Sequence, residues 1–60
     1  MIEIYETWSG YKIRKHTRNN NWLYVGGYYA GEYKWVIDYT YAKAYSKATA
    51  MKHVKRLGGD

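Results

Sequence analysis

The first forty positions alternate between apolar and polar with a period of two, and the last fifteen change to a helical period. In "IEIYETW" (2–8), Ile2, Ile4 and Trp8 fall on one side, and Glu3, Tyr5 and Thr7 on the other. In "YKIRKHT" (11–17), Tyr11 and Ile13 oppose Lys12, Arg14 and His16. "WLYVGGYYA" (22–30) is double-sided, with Leu23 and Val25 suited to a core and Trp22 and Tyr24 pointing the opposite way. "EYKWVIDYTY" (32–41) sets Trp35 and Ile37 against Lys34, Val36 and Asp38. Successive side chains of a strand point to opposite faces, so each run predicts a half-buried β-strand with one core face and one wet face. Proline is absent, and turns are expected where Gly and Asn cluster: "SGY" at 9–11, "RNNN" at 18–21 and "AGE" at 30–32. Short connections favour antiparallel neighbours.

From Lys47 onward, Ala50, Met51, Val54 and Leu57 recur at helical spacing and form one apolar stripe. Ser46 is placed to cap the first turn, and Gly58 to end the helix in a left-handed conformation. A lone helix of this length is barely stable in water, so its stripe must lie on the sheet. The fold class that follows is α+β. A three- to four-stranded antiparallel meander leads into one C-terminal α-helix packed on one sheet face, and residues 1–60 make a single small domain. Residues 38–45, "DYTYAKAY", fit a strand extension, an edge strand or a turn, with Asp38 able to cap it. Gly26–Gly27 suggests a bulge that re-aims Tyr28 and Tyr29, and Gly31 suggests the positive φ of a hairpin turn.

Length and composition narrow the function. Sixty residues without a cysteine exclude disulfides and thiolate metal sites, leaving good packing or self-association to support a small core. No run approaches the roughly 18 apolar residues of a membrane span, and the N-terminus lacks a basic, then apolar, leader pattern. The chain therefore reads as a small complete frame used in the cytoplasm. His16 and His53 have no neighbouring carboxylate in sequence and stand in no metal-ligand pattern, so both read as surface or interface residues. Ser9 and Ser46 read as turn and cap residues. The glycines at 26, 27 and 31 match neither a dinucleotide fingerprint nor a P-loop. No metal, cofactor or catalytic group is expected, and the chain reads as a non-enzyme.

Charge and aromatic content point to a binding surface. The net charge is +5, and the chain carries nine Tyr and three Trp but no Phe. One helix covers one side of a sheet. The other side is expected to present Tyr5, Lys12, Arg14, His16, Trp22 and Tyr24, together with Tyr28 and Tyr29 re-aimed by the bulge. Rings mixed with cations suit stacked bases and phosphates, or a protein interface rich in Tyr, Trp and Arg. A second basic surface, Lys52, Lys55 and Arg56, lies off the helical stripe. The final "RLGGD" is similar to the di-glycine tail of ubiquitin-like modifiers, though a helix C-cap accounts for its glycines.

In "KWVIDYTYAKAYSKATAMKHVKRL" (34–57), Trp35, Asp38, Ala42, Tyr45, Ser46 and Ala50 make up a pattern. It consists of a Trp-bearing strand, an Asp, an Ala, an aromatic before Ser or Thr, and a short Ala-containing helix. This resembles the C-terminal part of many small phage and mobile-element proteins. The resemblance implies a small accessory protein, some of which block host or competitor machines, including antiviral defence; it carries over no functional residue. The expected function is thus a non-catalytic, phage-type accessory or inhibitor protein. It would bind a nucleic-acid-handling protein through the basic Tyr/Trp-rich surface, as a homodimer, in the host cytoplasm if phage-encoded. The alternative is a sheet-based nucleic-acid-binding module.

Overall fold

The computed structural model describes residues 2–58. Four strands, β1 (Ile2–Thr7), β2 (Gly10–His16), β3 (Trp22–Tyr29) and β4 (Glu32–Val36), form one antiparallel sheet in sequence order. A short 3-10 turn, Tyr39–Tyr41, precedes the helix α1 (Lys47–Arg56), which packs over β1 and β2. The α+β meander expected from the alternation is the observed architecture.

The core lies between sheet and helix. Ile13, Val25, Ala50 and Val54 are buried, with Ile2, Ile4, Tyr11, Tyr33, Trp35, Tyr45 and Leu57 packed around them. Ser46 caps α1 by accepting from the Thr49 amide at 3.3 Å. Gly58, at φ +85°, follows the last turn in the left-handed conformation. Gly59 and Asp60 lie outside the described residues.

Three expected core residues lie on the surface. Trp8 is 99% exposed, because β1 ends at Thr7, which pairs with Gly10, and Trp8 and Ser9 form the two-residue turn between them. Ile37 is 81% exposed, because β4 ends at Val36 and the alternation stops with it. Met51 is also exposed, because α1 is rotated to bury Ala50, His53 and Val54. His53, expected at the surface, therefore sits in the interior, where its Nδ1 is 2.9 Å from the Tyr33 hydroxyl.

The segment after β4 has an unanticipated path. β2 and β3 pair only from Arg14 to His16 with Trp22 to Tyr24, and beyond that point they part. The chain from Ala42 to Tyr45 fills the gap. The Lys43 amide donates to the Val25 carbonyl of β3 at 2.9 Å, and Tyr45 forms an isolated antiparallel bridge with Tyr11 of β2. Upstream, Tyr39 touches Tyr24 and Lys12 on the sheet face away from the helix. Downstream, Tyr45 packs against His53 on the helix side. The chain thus passes through the plane of the sheet, from one face to the other.

Candidate interaction surface

The face away from α1 is organised by cross-strand rows. Glu3, Arg14, Tyr24 and Val36 are successive partners across all four strands, with Tyr5 opposite Lys12 and His16 opposite Trp22 in flanking rows. Directly opposed side chains on one face are close enough to interact, so register alone assembles this group.

Arg14 lies at its centre. Its Nε donates to Glu3 Oε1 at 2.7 Å, and its guanidinium carbon lies 4.1 Å from the Trp22 ring centre and 4.7 Å from that of Tyr5. His16 packs on the same indole, ring centres 4.7 Å apart. Tyr5 meets Tyr24 edge-on at 6.2 Å, and Tyr24 meets Tyr39 at 6.4 Å. Lys12 donates from Nζ to the Tyr39 carbonyl at 3.2 Å. Burial raises the Tyr5 hydroxyl pKa, aided by neighbouring Tyr24 and opposed by the Arg14 charge.

Tyr5, Lys12, Arg14, His16, Trp22 and Tyr24 are therefore brought together as the alternation expects. Tyr28 is not part of the group. The register shift between Val25 and Gly27 inserts an extra residue in β3 and reverses its phase, so Tyr28 turns to the helix side. There it packs on Tyr33 and His53, and its hydroxyl lies 3.0 Å from Arg56 Nη1. Tyr29 is exposed beside the β3–β4 turn, and nothing in the structure joins it to the ring group.

The face is also less open than one helix on one sheet implies, since residues 37–41 lie against it. Asp38 holds this segment by accepting from the Thr40 amide at 2.9 Å, which lowers its own carboxyl pKa. The segment adds exposed Ile37, Tyr39 and Tyr41, none of which was expected on this surface. The turn capped by Asp38, one of the expected readings of 38–45, is thus the one observed, an Asx-type turn that closes on its own backbone instead of prolonging a strand. Past the end of the sheet, an open hollow of about 470 Å³ is lined by Asn19, Asn21, Trp22, Leu23, Tyr24 and Ile37, among others.

The second basic group, Lys52, Lys55 and Arg56, lies exposed on α1. Among the described residues, no three His, Cys, Asp or Glu side chains gather as metal ligands, and no helix is long and apolar enough to cross a membrane. Comparison of the chain with family models, curated proteins and solved structures finds no match.

Proposed function

We propose that the protein is a non-catalytic binding protein, an accessory or inhibitor that docks its ring-bearing sheet face on a protein that handles nucleic acid. The observation that carries this reading is the state of Arg14. Its charge is already matched by Glu3, and its planar group is held between Tyr5 and Trp22. A phosphate approaching Arg14 would meet the Glu3 carboxylate beside it, so the centre of the face suits a protein surface better than a nucleic-acid backbone. Protein hot spots concentrate Trp, Tyr and Arg in part-buried, rigidly held clusters. The exposed Ile37, Tyr39 and Tyr41 supply an apolar border on the same side.

The test is a pull-down with tagged protein, with and without nuclease, comparing the natural chain with Trp22→Ala and Tyr39→Ala. The reading expects protein captured after nuclease treatment by the natural chain and lost with Trp22→Ala. Capture that needs intact nucleic acid, or that survives both variants, would overturn it. Light scattering over a concentration series shows whether the captured partner is a second copy.

A further inference from the structure

We infer that the outer face of α1, bearing Lys47, Lys52, Lys55 and Arg56, is a binding site for the phosphodiester backbone of nucleic acid. This deepens the reading above by naming nucleic acid as part of what the target presents, but it stands on different residues and a different face.

The charge of the chain is sharply divided. Residues 1–38 hold the acids Glu3, Glu6, Glu32 and Asp38 among Lys12, Arg14, Lys15, Arg18 and Lys34. Residues 39–60 hold Lys43, Lys47, Lys52, Lys55 and Arg56 against Asp60 alone. Arg14–Glu3 is the only ion pair among the described residues, so none of the described carboxylates neutralises the cations of α1. All of them are exposed.

Several of these charges work against the helix that carries them. Lys47 opens α1, whose first turn contains no acid, although the helix dipole favours negative charge there. Lys52 has like charges three and four positions on, at Lys55 and Arg56, a spacing that costs a few tenths of a kcal/mol per pair in an isolated helix. Lys55 and Arg56 alone sit where the dipole welcomes them. The electrostatics of the helix thus gain nothing from Lys47 or Lys52, whereas an anionic polymer would gain from both.

The geometry fits such a polymer. Lys47 and Lys55 lie about 12 Å apart along the axis and about 80° apart around it, with Lys52 at about 140° and Arg56 at about 180° from Lys47, so the four cations span the solvent-facing half of the helix. The axial distance spans roughly three phosphates of one DNA strand at about 3.4 Å each. Arg56, on the flank opposite Lys47, is tied back to the sheet by its bond to the Tyr28 hydroxyl.

The test is fluorescence anisotropy with a labelled mixed-sequence duplex of about 20 base pairs and its single strand, at salt from about 50 to about 200 mM. Four neutralised phosphates give a logarithmic salt slope near −3.6 on duplex, a loss of about two orders of magnitude in affinity over that range. Neutralising Lys47, Lys52 and Lys55 together to Gln is expected to abolish most of this binding and bring the slope near −1, while Trp8→Ser, at an exposed turn position outside both surfaces, leaves both unchanged. Circular dichroism melts confirm that the variants fold, and Lys52→Gln alone, with an expected slope change of about 0.9, provides a milder second variant. The proposal is overturned by any of three results. One is no complex at about 50 µM protein in low salt. Another is binding lost with Trp22→Ala but kept in the triple variant. The third is adsorption to phosphatidylserine vesicles without oligonucleotide binding. A failed pull-down on the ring face would leave this result untouched, so the two readings fail separately.

Discussion

Tyr11 and Tyr45 exchange both backbone hydrogen bonds, the Tyr11 amide donating at 2.8 Å and the Tyr45 amide at 2.7 Å. This bridge fixes the chain where it threads between β2 and β3, and so fixes which residues reach each face. Gly10 makes the approach possible. At φ +135° it adopts a conformation that L side chains rarely enter, and a Cβ there would lie 3.0 Å from the Tyr45 carbonyl and 3.3 Å from the Ala44 Cβ. Gly10→Ala is therefore expected to destabilise the fold by about 2 kcal/mol or more, through backbone strain and crowding together. Urea unfolding would show this as a lowered midpoint, with faster amide exchange at Tyr11 and Tyr45. An unchanged midpoint would mean that the crossing does not depend on this contact.

The β3–β4 hairpin offers the opposite outcome. Ala30 and Gly31 both have positive φ, at 56° and 78°, the conformation of a type I′ turn. Gly31 suits it, but Ala30 carries a Cβ in the left-handed region, at a cost on the order of 1 kcal/mol. Asn tolerates this conformation and Asn-Gly is the favoured pair, so Ala30→Asn is expected to stabilise by about 0.5–1 kcal/mol. For a chain of this size that raises the melting temperature by a few degrees, about 4–8 °C per kcal/mol. A lower melting temperature would refute this account of the turn.

The tryptophans separate what the sequence could and could not reveal. Alternation placed Trp8 and Trp35 alike on the core side, but only Trp35 packs there, beneath the Lys15 ammonium at 4.2 Å. Trp8→Ser is expected to shift stability by no more than about 0.5 kcal/mol, and Trp35→Ala to cost about 3 kcal/mol. Thermal melts of the two variants decide it; equal losses would return Trp8 to the core.

The same contrast explains the legibility of the fold. Period-two runs revealed a sheet of three to four strands, and the Ser46 cap with the Ala50, Met51, Val54 and Leu57 stripe revealed the helix, although Met51 lies exposed, because both signals are local. Apart from Met51 and His53, exchanged by the rotation of α1, the residues misplaced or omitted sit where pairing decides the outcome. Trp8 depends on where the hairpin closes, Ile37 on where β4 stops, and Tyr28 on an inserted residue at Gly26. Gly26 itself faces Val36, whose Cγ1 would lie 2.8 Å from an added Cβ. Tyr39 joined the ring group only because the crossing at Ala42–Tyr45 carries its turn across the sheet, and no local pattern encodes that passage. The Tyr5–Arg14–Trp22 cluster was legible for the converse reason. It needs only correct face assignment in three adjacent strands, which alternation supplies, whereas the Glu3 partner that neutralises Arg14 depends on register.

The buried His53 makes the fold sensitive to mild acid. Its ring is surrounded by Tyr28, Tyr33 and Tyr45, and burial, then the nearby Arg56 charge, lowers its pKa from the ordinary value of 6.5. The folded state thus binds its proton less readily than the unfolded state, and stability rises with pH across the interval between the two pKa values. The contribution is complete above about pH 6.5 and is lost progressively as the pH falls through that value toward the lowered one. Melting temperature is therefore expected to level off near neutrality and to fall as the pH drops below about 6.5. His53→Phe keeps an aromatic ring in the cluster, gives up the contact with the Tyr33 hydroxyl and cannot titrate. Whatever its stability at neutral pH, its melting temperature is expected to stay flat over the same interval. The effect of Asp38, whose carboxyl pKa is lowered from 3.8, belongs to a more acidic window and leaves this interval clear. A variant that lost stability below about pH 6.5 as steeply as the natural chain would place the acid-sensitive group elsewhere.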